Sequence, residues 1–216
     1  DHVGLDPADD RLRDAPGVTL LGGDRFGELA DLGCVHLEQR LGPVDCLVNN
    51  AGSEGPDLIR TRDWSRNDAY LRLMMTSVAA MCHEFVPAML ERGFGRVLNV
   101  ASVAGQLTLN GDYSYGPTKA YLIALSKAMN ASFRSSGVYV TALCPGFTHT
   151  DFHDSAKLTA MKQGTPKFIW YDADVVVREG LAALQPQAAV ARAVPVLLVI
   201  LSRLQRFAPA VGADDD

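Results

Sequence analysis

Cysteine is scarce in this chain, with four residues among 216 and no Cys-x-x-Cys pair. Cys34, Cys46, Cys82 and Cys144 each lie in an apolar stretch, which is typical of buried thiols and argues against a disulfide framework. Because unpaired thiols persist in reducing compartments, we expect a cytoplasmic location.

Positive charge and long apolar runs are also limited. Acidic residues outnumber Lys and Arg by 25 to 20, and no basic cluster is present, so a nucleic-acid partner is not expected. The opening residues lack the apolar core of a signal peptide. The most apolar run, 188–201, contains Arg192 and Pro195 and falls short of the roughly 20 residues of a spanning helix. We interpret it as a packed helix; peripheral membrane contact is an alternative that we do not expect.

What the sequence does contain is a regular alternation of short apolar runs and amphipathic segments. The runs predict strands at 18–21, 45–48, 96–101 and 139–144, a loop at 53–66, and helices at 26–41, 68–92, 115–135 and 172–184. The rest of the chain after residue 146 reads as helical. Strands that alternate with helices predict an α/β fold with a doubly wound parallel sheet, Rossmann-like, in which ligands bind beyond the carboxyl ends of the strands. Chain length favours a single domain over 1–216, with 147–216 as a substrate lid and C-terminal helices.

Three residues have side chains suited to acid/base chemistry. Ser102 follows the predicted strand 96–101, and Tyr115 and Lys119 lie four residues apart, on one face of the next helix. A phenol has a pKa of about 10, and a nearby ammonium lowers that value by stabilising the phenolate. A serine hydroxyl beside them can hold a carbonyl oxygen. By itself, Tyr-x-x-x-Lys is a weak motif that surface helices often contain.

The surrounding motifs add to this signal. They are NNAG at 49–52, NVASVAG at 99–105, YSYGPTKAY at 113–121 and CPGFTHT at 144–150. In order and spacing they resemble the short-chain dehydrogenase/reductase family over about residues 18–185. The resemblance implies an oxidoreductase that transfers a hydride between NAD or NADP and a ketone/alcohol substrate.

The resemblance also implies residue roles. Tyr115 would be the general acid/base, Ser102 the residue that positions the carbonyl, and Lys119 the residue that lowers the tyrosine pKa and holds the nicotinamide ribose. The implied cofactor-binding residues are Asp24, Asn50, Ala51, Gly52, Tyr115, Lys119, Pro145, Gly146, Thr148 and Thr150. Ordinary structural roles remain open for some of them: a turn at Asn50, a strand stop at Pro145, a helix N-cap at Asp24. His149, Asp151 and His153 are metal-ligand types, but the family has no metal there and we expect none.

The sequence departs from the family pattern in two places. The asparagine that relays protons in the family aligns with Met74 or Met75, and a methionine cannot relay protons unless Thr76 or Ser77 substitutes. The glycine-rich phosphate loop of the family is not found, so the fold is interpreted as N-terminally shortened. The alternative function is therefore a catalytically weak or inactive family remnant that acts as a binding or assembly module.

Two further expectations concern partners. The segment after Gly146 is rich in aromatic and aliphatic side chains, which predicts an apolar substrate. Helices 68–92 and 115–135 carry more apolar positions than one core-facing stripe requires, which predicts a homo-oligomer. These positions are Leu71, Met75, Met81, Phe85, Tyr121, Leu122, Leu125 and Phe133.

Overall fold

The computed structural model describes residues 18–20, 42–150, 166–184 and 190–193. The strands are β1 (Val18–Leu20), β2 (Cys46–Asn49), β3 (Gly95–Val100), β4 (Val138–Pro145), β5 (Phe147–His149), β6 (Trp170–Asp172) and β7 (Val190–Ala193). The helices are α1 (Trp64–Leu71), α2 (Ser77–Arg92), α3 (Tyr115–Phe133) and α4 (Ala173–Ala182). The helix predicted at 26–41 lies outside the described residues.

Five strands form one parallel sheet in the order β1-β2-β3-β4-β7. The two longest strands, β3 and β4, are paired from Gly95 opposite Val138 to Val100 opposite Leu143. Their side chains are almost all buried, as expected for central parallel strands covered on both faces. The α/β Rossmann-like prediction is confirmed.

The two faces of the sheet are covered by different helices. On one face α2 and α3 contribute Phe85, Met89 and Leu122 to a core with Val97 and Val140 of the sheet. The opposite face has a smaller core in which α4 packs on the sheet, and this core consists of Leu98, Leu143, Val48, Val176 and Leu184. The carboxyl ends of the strands therefore lie at one end of the sheet, between the two layers of helices.

The long predicted helix begins earlier than expected and is irregular in a different place. It runs from Trp64 to Arg92, so the last residues of the predicted loop are helical, and Asp63 caps its first turn by accepting a hydrogen bond from Ser65 N at 3.0 Å. A π-helical segment, Arg72–Thr76, separates α1 from α2. The whole segment is long and apolar enough to cross a membrane, but Phe85 and Met89 pack into the core, which is the behaviour of a core helix.

The region after residue 146 contains strands where the sequence predicted only helices. β5 and β6 pair in parallel as a separate two-stranded sheet, with Phe147 opposite Trp170. Val190–Ala193, at the start of the run interpreted as a packed helix, pairs with β4 instead. That interpretation is wrong for these residues, because the open edge of β4 offers backbone partners that local sequence does not reveal.

Candidate active site

The sequence-predicted site residues that the structure describes follow the carboxyl ends of β2, β3 and β4. Asn50–Gly52 come after β2, Ser102 after β3, and Gly146 after β4. Helix α3 then begins at Tyr115 and carries Lys119 one turn further on. In parallel α/β sheets, ligands bind at this end, beyond the carboxyl ends of the strands.

Ser102 links the end of β3 to α3. Its backbone is extended, and its hydroxyl oxygen accepts a hydrogen bond from Ala104 N at 3.2 Å. The next residues form a short 3₁₀ turn that lies directly against α3. A Cβ on Gly105 would be 2.6 Å from the Lys119 carbonyl carbon, so only glycine permits this approach. The close packing brings the Ser102 and Tyr115 hydroxyl groups into a hydrogen bond.

Burial dominates the electrostatics of Tyr115. It raises the pKa of the phenol, the hydrogen bond with Ser102 opposes that rise, and the charge of Asp112 adds to it. Asp112 is fixed nearby because its carboxylate accepts a hydrogen bond from Gly116 N at 2.8 Å. The direction differs from the expected lowering by Lys119, because desolvation of the phenolate is the larger effect in this packed setting.

Lys119 is only 5% exposed, which is rare for a lysine. Its Nζ donates a hydrogen bond to the Val100 carbonyl oxygen at 2.8 Å and lies 5.6 Å from the centre of the Tyr115 ring. Burial lowers the pKa of the ammonium to about 8, and the interaction with Cys144 opposes this shift. An ammonium is thus held over the face of the candidate acid/base.

Of Met74 and Met75, which both align near the family's proton-relaying asparagine, Met74 is the one that lies beside Gly52 at the site. It is 1% exposed, and its sulfur lies 3.4 Å from the point where a Cβ on Gly52 would stand; Lys119 Nζ lies 3.6 Å from the same point. The two proposed substitutes have other positions: Thr76 is exposed, and the Ser77 hydroxyl donates to the Leu73 carbonyl of its own helix.

The residues with expected cofactor roles that the structure describes come at the ends of β2 and β4, the two strands that flank β3. Asn50 and Gly52 are exposed, and Ala51 is half-buried. The other segment is Pro145, Gly146, Thr148 and Thr150, of which Thr148 is buried and the rest half-buried. The Thr148 hydroxyl donates to the Gly146 carbonyl oxygen at 3.1 Å. Asp24, like Asp151 and His153, lies outside the described residues, so its predicted role stays a prediction.

Sequence reasoning missed three features of the site. It did not identify Asp112, although an acidic residue just before a helix N-terminus is a recognisable signal. It also missed the Val100 carbonyl as the partner of Lys119. A third feature is the contact between the loop after β2 and α3, in which the Ser114 hydroxyl donates to the Pro56 carbonyl at 2.7 Å. Backbone partners of this kind leave no trace in a sequence.

No cluster of three metal-ligating side chains is found among the residues that the structure describes. His149 is exposed, and its ring stacks on that of Trp170 with the centroids 5.2 Å apart and an angle of 28° between the ring planes.

Two curated proteins are similar to this chain over about half of its length. Over 115 residues the chain is 37% identical to nodulation protein G of Azospirillum brasilense, and over 119 residues it is 34% identical to an acetoacetyl-CoA reductase of Rhizobium meliloti. These matches cover 53% and 55% of the chain and 47% and 49% of the two relatives, so the chain spans about half the length of the curated relatives it matches.

A solved structure and a family model point the same way. A short-chain dehydrogenase from Sphingobium yanoikuyae, solved in complex with NADPH, superposes with a TM-score of 0.67 at 26% identity, covering 95% of this chain and 83% of the other. The family model described as short chain dehydrogenase matches residues 32–160, more than half of the chain. The resemblance carried by the sequence motifs is thereby confirmed, and the chain belongs to the short-chain dehydrogenase family.

Proposed function

We propose that the protein transfers a hydride between NAD or NADP and the carbonyl/alcohol group of an apolar substrate, with Tyr115 as general acid/base. The observation that carries the proposal is the convergence of Ser102, Tyr115 and Lys119 at the carboxyl end of β3. The hydroxyl–hydroxyl hydrogen bond and the 5.6 Å separation between Nζ and the phenol ring support it. Family membership supports the same chemistry.

The residues at the carboxyl ends of these strands fit a nicotinamide dinucleotide. Gly52 has no side chain, and a Cβ there would stand 3.6 Å from Lys119 Nζ, so glycine leaves open the space beside the ammonium. In this proposal Lys119 holds the nicotinamide ribose, Asn50–Gly52 lie on the adenosine side, and the segment 145–150 contacts the carboxamide. When bound, the dinucleotide supplies or accepts the hydride; the protein positions the substrate and moves the proton.

The protonation state of Tyr115 favours carbonyl reduction. A phenol whose pKa is raised by burial carries its proton at neutral pH, so it is ready to donate to a carbonyl oxygen. The Ser102 hydroxyl, hydrogen-bonded to that phenol, is placed to bind the same oxygen. The ammonium of Lys119 then stabilises the phenolate left after donation.

Exposed apolar side chains in the loop that leads to Tyr115 support a ketone or acyl-chain substrate. Leu109 and Tyr113, in the loop before Tyr115, are 42% and 52% exposed, and the rings of Phe147 and Trp170 lie 5.2 Å apart. One relative is an acetoacetyl-CoA reductase, whose substrate is an acyl thioester. The cytoplasm remains our proposed location, since Cys46 and Cys82 are free thiols.

The test is a substrate panel with NADH and NADPH, monitored by loss of nicotinamide absorbance. It compares an apolar cyclic ketone, a 3-ketoacyl thioester and a small keto acid. Preference for either apolar substrate in kcat/KM supports the proposal, and preference for the small keto acid contradicts the apolar assignment. Dinucleotide binding, seen as enhanced NADPH fluorescence, without turnover of any substrate would favour the non-catalytic alternative instead.

We also propose that a second copy of the chain covers the side of α3 on which Tyr121 and Leu125 lie one turn apart. Of the apolar positions predicted for association, Met81, Phe85 and Leu122 are core residues, so the structure removes them from the prediction. Tyr121 and Leu125 are half-buried on α3 and pack partly against that core, so a second copy would cover only the exposed part of each side chain.

We expect Leu125→Glu to give a monomer by light scattering at tens of micromolar, while Ala124→Glu, at an exposed neighbouring position, keeps the oligomer. A monomeric parent protein would contradict this proposal.

A further inference from the structure

The π-helical segment Arg72–Thr76 delivers one buried side chain to the candidate site. Met74 is 1% exposed, whereas its neighbour Met75 in the same segment is half-buried. The Met74 sulfur and methyl group stand 3.4 and 3.7 Å from the Cβ position of Gly52, and Lys119 Nζ stands 3.6 Å from it. The thioether and the ammonium therefore border the same small space, beside the only glycine of the NNAG motif.

The other surroundings of Lys119 provide few polar contacts. The Val100 carbonyl on β3 accepts a hydrogen bond from Nζ at 2.8 Å. Within the part of the chain that the structure describes, the titratable groups that face it are Tyr115 on its own helix and Cys144 on β4, and Asp112 acts on Tyr115. The π-helical segment between α1 and α2 contributes the thioether of Met74, which is apolar and only a weak hydrogen-bond acceptor.

We propose that Met74 is a positioning residue: its buried thioether keeps water away from Lys119 on the side of the π-helical segment and so keeps Nζ on the Val100 carbonyl, while the side at Gly52 stays open for the dinucleotide. The inference rests on the proposed function in so far as Lys119 acts there as the partner of Tyr115. It adds that a single side chain keeps this side of the ammonium free of water.

The low pKa of about 8 for Lys119 agrees with this arrangement, since a dry setting penalises the ammonium. Replacing the thioether with an amide of nearly equal length would give Nζ a second acceptor and admit water. Met74→Gln should therefore raise the midpoint at which Lys119 titrates. Met74→Leu keeps the space apolar and should leave the midpoint where it is.

The experiment uses the whole protein without dinucleotide, labelled with [ε-¹³C]lysine. The chain has five lysines, so five signals are expected, and Lys119→Arg identifies the one that disappears. Each signal is followed through an alkaline titration in the parent, Met74→Gln, Met74→Leu and Met75→Gln. Circular dichroism checks that each variant is folded, and Met74→Asn replaces Met74→Gln if the latter is not.

We expect the parent signal of Lys119 to titrate near pH 8, and Met74→Gln to raise its midpoint by about one unit. Met74→Leu and Met75→Gln should not shift it. The proposal is overturned if the parent signal titrates near the value of about 10.4 that a lysine has in a model peptide, if the polar variant at position 74 leaves the midpoint unchanged, or if Met74→Leu moves it equally. Since no turnover is measured, a protein that titrates as expected but reduces no carbonyl would contradict the proposed function only.

Discussion

Replacing Lys119 with methionine should change how the stability of the protein depends on pH. The ammonium is almost fully buried, and among the described residues its hydrogen-bond acceptor is the Val100 carbonyl oxygen at 2.8 Å, so the charged form is destabilised in the folded state. Burial lowers the pKa from 10.5 to about 8. The folded protein therefore releases this proton at a lower pH than the unfolded chain does.

The sign and size of the effect follow from proton linkage. Between pH 8 and pH 10.5 the unfolded chain binds more protons at this position than the folded protein, so the contribution of Lys119 to the free energy of unfolding rises with pH in that window. One unit of pKa difference is worth about 1.4 kcal/mol, which gives about 3 kcal/mol across the window. Relative to Lys119→Met, the parent should thus gain about 3 kcal/mol of stability as the pH rises from 7 to 10.5.

The assay is urea unfolding of both proteins at several pH values, with the difference in unfolding free energy plotted against pH. Other groups titrate in the same range, but they are common to both proteins and cancel in the difference. Lys127→Met, at an exposed position of the same helix, is the matched control for the loss of a lysine. A difference for Lys119→Met that does not change with pH would refute the assignment of a destabilising buried ammonium.

The remaining predictions concern the scaffold. Gly137 has φ +80° and a Cβ there would run into the Gly93 carbonyl oxygen, so Gly137→Ala should cost more than about 3 kcal/mol in urea unfolding. Gly111 has φ +79°, but a Cβ there would have no atom within 4 Å, so Gly111→Ala should lower the free energy of unfolding by only about 1–2 kcal/mol. Equal losses for the two glycine substitutions would contradict the steric argument. Asn99→Ala should cost about 2–3 kcal/mol, because it removes the acceptor for the Asn49 side-chain amide at 2.8 Å; a loss below the error of the measurement would contradict this.

The element order was predictable because local signals delimit it. β3 and β4 are apolar runs that each come directly after or begin at a glycine, and the structure places them at Gly95–Val100 and Val138–Pro145, within one residue of the predicted bounds. Helix α3 begins at Tyr115 as predicted. Spacing likewise predicts that Tyr115 and Lys119 share one face of this helix, while the roles of Ser102, Tyr115 and Lys119 stay a prediction.

What escaped prediction depends on distant partners. Val190–Ala193 is a strand because its backbone pairs with the unpaired side of β4, and no local sequence pattern indicates that pairing. The choice between Met74 and Met75 depends on a π-helical segment that hydrophobic periodicity does not reveal. The pKa direction of Tyr115 was also missed, because it is set by how deeply the phenol is buried rather than by which residues are near it in sequence.

The central claim is that the Tyr115 hydroxyl exchanges the proton with the substrate, and Tyr115→Phe tests it most directly because only that oxygen is lost. The measurement is kcat/KM for carbonyl reduction with the preferred substrate of the panel, alongside NADPH fluorescence to confirm that binding is intact. Tyr121→Phe, on the same helix, is the control. We predict a loss of roughly 100-fold or more for Tyr115→Phe and none for the control. A Tyr115→Phe protein whose kcat/KM stays within about tenfold of the parent, some 1.4 kcal/mol, would contradict the account.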